Sequence, residues 1–362
     1  MYGVLYYLEG HARLKTLSQL PRPLDPQWGV IDWSMLHEAR DPSEIAFFFV
    51  CRARPSIATL GNMLEPLHGS FWGGVAAHAF MIPLWTLSPI PAVMGVVLIL
   101  MGGLYSIIGA AFLVALTSLN TITFAYRPWF VKVFYDLDMT RYYRRCELRG
   151  ALGSMRKEST LFMFHPHGIL ATGFVVNGCW SKPFNELTSE KDLNTPKHTG
   201  TVFLIAQSLR EWSALFKVLC DCSGRLESAT KKNITMLMRA RRNLAIIPGG
   251  FEDATLHEYG KERTCMKPRK GLIKYALQNG YALTPIYSFG ESGTYRTFTG
   301  LLSFRLQLNQ WGIPGVLFWG EPLVPTFPRI DSQVLTYVGE PLQLPTIDLP
   351  TDEQVSNGLD CL

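Results

Sequence analysis

Residues 161–168 read Leu161-Phe162-Met163-Phe164-His165-Pro166-His167-Gly168, and this stretch decides the fold. Four consecutive apolar residues have the length and aromatic content of a fully buried strand. The run passes without a spacer into a polar turn, where Pro166 fixes one backbone angle and Gly168 permits a positive φ. The stretch onward to Gly178 can begin a helix. A strand-to-helix turn presents side chains and backbone N–H groups at one edge of a sheet, where α/β proteins bind ligands. Two of the eight histidines fall in this turn. An unperturbed imidazole titrates near pH 6.5, so a histidine here suits a general base at neutral pH. A structural turn with solvated histidines and a metal site are the competing readings; no further ligand spacing supports the metal.

Outward from that strand the chain keeps an alternating order. Short apolar runs with strand character recur at Val202–Ala206, Leu244–Ile247, Ala282–Tyr287, Val316–Trp319 and Val334–Val338. Segments of helical spacing separate them. Ser228 is a candidate cap for a helix from about Thr230 to Arg242, and Gly280 is the stop of a helix from Gly271 to Asn279. Strands alternating with helices predict an α/β fold with a mostly parallel sheet. Residues 181–200 and 292–312 read as longer, mixed connections. A second polar turn, Pro248-Gly249-Gly250-Phe251-Glu252-Asp253, follows the run Leu244–Ile247. Its paired glycines let backbone approach a ligand closely. Glu252 or Asp253 can orient a histidine, accept a hydroxyl proton or cap a helix. A third constellation is Arg269-Lys270-Gly271, with Phe289-Gly290-Glu291 after the next strand. Two cations at a helix start oppose the helix dipole, and an anionic ligand would explain them.

The chain has 362 residues, 48% hydrophobic and only 17% charged, against roughly 25% charged in ordinary soluble domains. That much apolar surface excludes a disordered chain. The charges are unevenly spread: no Asp, Glu, Lys or Arg occurs between Glu65 and Arg127. A spanning helix needs about 20 apolar residues, so the gap has room for two. The clearest candidate runs from Ala92 to about Leu116, a weaker one lies near Val75 to Leu87, and Pro89 and Pro91 look like the bend. Both flanks are basic, with Arg52 and Arg54 before the gap and Arg127, Lys132 and Arg141 after it. Basic flanks on both sides predict a hairpin whose two ends face the cytosol. The expected division is therefore 1–65, an N-terminal region of unassigned fold; 66–126, a membrane-embedded hydrophobic helical hairpin; and 127–362, a catalytic domain. Seven cysteines at no zinc or haem spacing read as reduced thiols. The net charge of +5 concentrates in Arg239, Arg241 and Arg242 and in a cluster from Lys261 to Lys274. Such patches suit anionic headgroups or a polyanion such as the phosphates of coenzyme A. No nucleic-acid-binding signature occurs.

His165-Pro-His-Gly168 after its strand, Pro248–Asp253, and the stretch from Pro268 to Glu291 together resemble the type-2 diacylglycerol acyltransferase family, which includes monoacylglycerol and wax-ester acyltransferases. The resemblance covers roughly Tyr126 to Pro345. It implies a membrane-anchored acyltransferase domain in the endoplasmic reticulum, facing the cytosol and extending to lipid droplets. It also implies transfer of a fatty acyl group from acyl-CoA to diacylglycerol, forming triacylglycerol, with monoacylglycerol or a fatty alcohol as the alternative acceptor. The implied partners are acyl-CoA as co-substrate, diacylglycerol and the bilayer, with no nucleic acid, no resident cofactor and no metal; a homo-oligomer is left open. A serine esterase is excluded because no Gly-x-Ser-x-Gly occurs, and no histidine has an aspartate five positions on. A non-enzymatic, membrane-shaping hairpin protein of lipid droplets would account for the apolar segment but not for three polar turns.

The chemistry can be assembled from the turns. His165 or His167 accepts the proton of the acceptor hydroxyl; His167 is favoured because it lies nearer the helix start. Glu252 is the third catalytic candidate. Backbone N–H groups of Gly168 and Ile169 stabilise the oxyanion, and Pro166, Gly249 and Gly250 shape the substrate site. Arg269 and Lys270, with Gly271, hold the phosphates of coenzyme A, and Glu291 contributes a further substrate contact.

Overall fold

In the computed structural model the described residues are 69–87, 90–189, 200–264 and 270–360; the expected N-terminal region 1–65 and Arg269 lie outside them. The strands are β1 (Arg145–Gly150), β2 (Thr160–His165), β3 (Val202–Ile205), β4 (Leu226–Ser228), β5 (Leu244–Ile246), β6 (Ala282–Phe289), β7 (Arg296–Thr297), β8 (Phe318–Trp319), β9 (Gln333–Val338) and β10 (Leu342–Gln343). The main sheet has the order β1-β9-β6-β2-β5-β3-β4, with β10 also paired to β6. The segment β6-β2-β5-β3-β4 is parallel throughout, while β9 and β10 run antiparallel to β6. The expectation of an α/β fold with a mostly parallel sheet holds.

The helices are α1 (Phe71–Thr86), α2 (Ile90–Met101), α3 (Gly103–Thr121), α4 (Pro128–Leu137), α5 (Lys182–Thr188), α6 (Gln207–Trp212), α7 (Ala214–Ser223), α8 (Lys231–Arg239), α9 (Gly250–Thr255), α10 (Lys270–Gln278), α11 (Leu302–Gln310) and α12 (Asp352–Asp360). They cover both faces of the sheet, so the central strand β2 is buried along its whole length. Its side chains alternate between two cores. Phe162 and Phe164 join Phe174, Phe184 and Phe203 on one face, and Leu161 and Met163 join Ile234 of α8 and Ile273 of α10 on the other. Burial on both faces explains why β2 reads as an unbroken apolar run. Full burial of such a side chain contributes about 1.5–3 kcal/mol, which makes β2 a rigid support for the turn at its end.

Several expectations need correction. The run Val316–Trp319 is not part of the main sheet: β8 pairs with β7 in a separate two-stranded antiparallel ribbon. β1 was not expected at all, because Arg145, Glu147 and Arg149 mark it as polar. It sits at a sheet edge, where charged side chains are tolerated and protect the strand from further pairing. Ser228 does not cap α8; Thr230 does, accepting from the Asn233 N–H at 3.3 Å. Gly280 ends α10 as expected, at φ +61°.

The helices of the apolar segment have other bounds than expected. Ala92 to Leu116 is not one helix. It breaks at Gly102 and Gly103, both at positive φ, and this break is additional to the 52° bend between Phe71–Thr86 and Ile90–Met101, near the expected prolines. α2 and α3 pack against each other through glycine: a Cβ on Gly109 would lie 2.6 Å from the Gly95 carbonyl oxygen. Small residues permit this close approach of two helix backbones. α3 is long and apolar enough to cross a membrane. The weaker candidate, Val75 to Leu87, belongs to α1, which buries Ala77 and Met81 in the core of the sheet domain. His78 of α1 donates or accepts at both ring nitrogens, 2.8 Å from the Gly74 carbonyl and 3.0 Å from the Tyr143 hydroxyl.

Candidate active site

Because β5, β2 and β6 are adjacent and parallel, the turns after them emerge at one edge of the sheet. Crossover geometry adds the start of α10, which runs back from that edge before β6 begins. All three polar constellations of the sequence therefore meet at the carboxyl ends of the central strands, where α/β sheets place their sites.

His167 is the histidine that reaches open space. Its backbone N–H donates to Asp253 Oδ2 at 2.6 Å, tying the turn after β2 to α9. Its Nδ1 lies 3.1 Å from the Gly168 carbonyl oxygen. A carbonyl only accepts, so Nδ1 carries the proton and Nε2 is left with the basic lone pair. Burial lowers the pKa of His167, against a smaller opposing effect of the Gly168 carbonyl, and so favours the neutral, proton-accepting form. His165, at the end of β2, is fully buried; its Nδ1 lies 3.2 Å from Thr264 Oγ1, and burial pushes its pKa down to about 3. The structure separates the two histidines that the sequence left as alternatives: His167 lines the cavity and His165 lies behind it.

That cavity has a volume of about 960 Å³. Its walls are mainly apolar, including Phe174, Trp180 and Leu204, and it extends to Met81 and Trp85 of α1 and to Ala92 and Val93 of α2. Ile169, Gly250 and Glu252 also line it. Gly249 is placed otherwise. A Cβ there would lie 2.6 Å from the Asp253 Cβ, so its close approach is to Asp253 and not to a ligand. Pro166 is buried, joined to His165 by a cis peptide.

Glu291 is likewise placed otherwise. It is fully buried, and its two carboxylate oxygens accept from the Thr172 N–H at 2.7 Å and the Gly173 N–H at 2.8 Å. It caps the helical turn Thr172–Phe174 that follows the histidines, and it is not a substrate contact. Burial raises its pKa to about 7, while the two backbone bonds pull the other way. Gly168 stands against this carboxylate at φ +58°, and a Cβ would run into the Glu291 side chain. The glycine is needed for both reasons.

The basic cluster is divided. Arg263 pairs with Glu258 at 2.7 Å, and Lys261 pairs with the same carboxylate. Lys270 is exposed at the first residue of α10, and Gly271 lies on the cavity wall. Lys231, at the first residue of α8, also lines the cavity, 6.0 Å over the Tyr275 ring. Lys231, Trp180 and Asn309 are cavity residues that sequence reasoning missed: Trp180 and Asn309 lie in no turn after a strand, and β4, which precedes Lys231, is only three residues long and has no legible apolar run. Among the described residues, no group of three or more His, Cys, Asp or Glu side chains is arranged to hold a metal ion.

The family profile described as diacylglycerol acyltransferase matches residues 107–359. Diacylglycerol O-acyltransferase 2 of Dictyostelium discoideum is 30% identical over 216 residues, covering 56% of this chain and 62% of that protein. The 2-acylglycerol O-acyltransferase 3 of Homo sapiens is 28% identical over 204 residues, covering 53% of this chain and 58% of that protein. The matched stretch thus spans less than two thirds of either relative. A crystal structure of the 1-acyl-sn-glycerophosphate acyltransferase of Thermotoga maritima aligns over 80% of this chain and 93% of that one, at 9% identity and a TM-score of 0.34. The family match extends over most of the chain and contains every motif that meets at the sheet edge: the chain belongs to the diacylglycerol acyltransferase family.

Proposed function

We propose that the chain is an acyl-CoA:diacylglycerol O-acyltransferase that forms triacylglycerol. The observation that carries this reading is His167, its Nδ1 engaged by the Gly168 carbonyl, on the wall of an apolar cavity that reaches the base of the α2–α3 hairpin. Nε2 of His167 takes the proton of the acceptor hydroxyl as its oxygen attacks the thioester carbonyl. Backbone N–H groups of Gly168 and Ile169 stabilise the tetrahedral oxyanion, a contribution of about 3–4 kcal/mol per donor in a well-studied case. The carbon–sulfur bond then breaks, and the leaving thiolate, whose parent thiol has a pKa near 8.5, recovers the proton from the imidazolium. Glu252, on the same wall, orients the acceptor. Lys270 at the start of α10, with Arg269 preceding it in the sequence and joined by Lys231, holds the phosphates of coenzyme A. The hairpin anchors the protein in the endoplasmic-reticulum membrane with the sheet domain in the cytosol, and lipid substrates enter the cavity from the bilayer beside it.

Monoacylglycerol is the second acceptor to weigh, since one relative is named for that substrate. The test is incubation of the membrane-reconstituted protein with radiolabelled acyl-CoA and, in turn, diacylglycerol, monoacylglycerol and a fatty alcohol. Labelled triacylglycerol as the main product is expected. Product from only the second or third acceptor would change the substrate, and no transfer to any would leave a non-enzymatic hairpin protein.

A further inference from the structure

α11 is built inside out. Its polar residues Arg305 and Asn309, four apart and therefore on one face, are 6% and 8% exposed, while Leu302 and Phe304 point outward at 42% and 53%. The flanking residues continue the pattern, with Leu301 at 70%, Trp311 at 61% and Leu317 at 64% exposed. A helix beside water puts its apolar stripe against the protein. The outer face mixes these large apolar side chains with the uncharged Ser303, Gln307 and Gln310, a composition that suits the boundary between water and acyl chains.

The buried polar groups serve the loop after the helix. Arg305 Nε donates to the Gly315 carbonyl at 2.7 Å, and Nη2 donates to the Thr255 carbonyl at 2.8 Å. Asn309 Oδ1 accepts from the Gly315 N–H at 2.9 Å. Both backbone groups of Gly315 are thus satisfied from the inner side. Irregular backbone at an apolar boundary requires this, because lipid offers no replacement partner.

Charge identifies the occupant. Between Arg296 and Glu321 the only charged residue is Arg305, and it faces inward. The outer face therefore carries no charge with which to form an ion pair to a protein partner. Trp311 and Trp319 add the amphipathic rings that favour the boundary between acyl chains and headgroups. The inner side of the same segment, at Asn309, Gly312, Pro314 and Val316, lines the cavity that Ala92 and Val93 of the hairpin line elsewhere. A bilayer that holds the hairpin is thus in reach of both.

We propose that α11 and the loop to Leu317 form a second membrane-contacting face, which dips into the acyl-chain boundary of the leaflet and flanks the cavity entrance used by lipid. This rests on the membrane-lipid reading proposed above.

The test uses the full chain in phosphatidylcholine vesicles, with Trp311→Phe as the subtraction partner. The intensity lost on that substitution is the Trp311 signal. It should be quenched strongly by phosphatidylcholine brominated on its acyl chains and only weakly by aqueous iodide. Quenching by iodide would put the face in water, and protection from both quenchers would mean that protein covers it; either outcome overturns the proposal. A second variant, Leu302→Glu with Leu317→Glu, should raise the KM for vesicle-borne diacylglycerol several-fold at unchanged kcat. An unchanged KM would argue against the portal. The fluorescence measurement does not depend on activity, so a protein without acyl transfer but with bromolipid quenching would retain this face while losing the proposed reaction.

Discussion

Single residues already separate the roles of the two turn histidines. His167 lines the cavity, whereas His165 fills the buried end of β2. His167→Ala should lower kcat by about 10²–10⁴-fold, the usual worth of a general base, with a thermal midpoint close to that of the parent. His165→Ala should do the opposite, costing about 1–3 kcal/mol through lost packing and an orphaned Thr264 hydroxyl, while folded molecules keep most of their turnover. The reverse pattern would move the base to His165. The pH profile offers an independent check. Burial lowers the pKa of His167, so the neutral, active form persists below the ordinary value of 6.5 and is lost only as pH falls through the lowered pKa. The acid limb of kcat/KM should therefore lie below pH 6.5; a limb above that value would contradict burial as the controlling cause.

Among the elements, the turn from β2 into the helix at Thr172 depends on contacts that no neighbouring residue supplies. Asp253 of α9 holds the His167 N–H, and Glu291, after β6, holds the helix start. Gly168 lies between them in the left-handed region against the Glu291 side chain. Gly168→Ala should cost about 1–2 kcal/mol for the backbone conformation, and about 1–3 kcal/mol more for overpacking. Because the displaced groups carry His167 and Ile169, kcat should fall even at temperatures where the variant is fully folded. Denaturant titration paired with initial rates reads both effects, and parental kcat in a folded variant would show that the turn tolerates displacement. The hairpin is an element of another kind. α2 has 12 residues, about 18 Å at helical rise, too short for a hydrocarbon core of about 30 Å.

On the scale of the whole molecule, both ends of that hairpin return to the same domain. α1 buries Met81 and α4 buries Phe134 in one core. A hairpin tethered at both ends to one folded unit leaves and re-enters on the same side of a membrane, however deeply α2 and α3 penetrate. The sequon Asn233-Ile234-Thr235 reports which side that is. Asn233 lies in α8, with its amide donating to the Ser228 carbonyl at 3.2 Å. In eukaryotic cells Asn233 should remain unmodified, and protease added to sealed microsomes should digest the sheet domain. A glycosidase-sensitive mobility shift at Asn233, or protection of that domain, would place the active site in the lumen, away from cytosolic acyl-CoA.

The sequence alone determined what is local. β2, β5 and β6 are legible because strands buried on both faces become continuous apolar runs. The turns after them are legible because Pro166, Gly168 and Gly250 restrict or extend the backbone, and the apolar hairpin because charge is absent between Glu65 and Arg127. Tertiary structure decided what depends on partners distant in the chain. β1 is charged and was missed, for its place is fixed by pairing with β9 nearly two hundred residues later, as the register from Arg145 to Gln333 records. The bend at Gly102 and Gly103 was hidden inside a uniformly apolar run, where helix and turn have the same hydropathy. The division between His167 and His165, the burial of Glu291 and the inverted face of α11 all follow from strand order and layer packing. Those are set by long-range burial, to which many sequences of the same local pattern are indifferent.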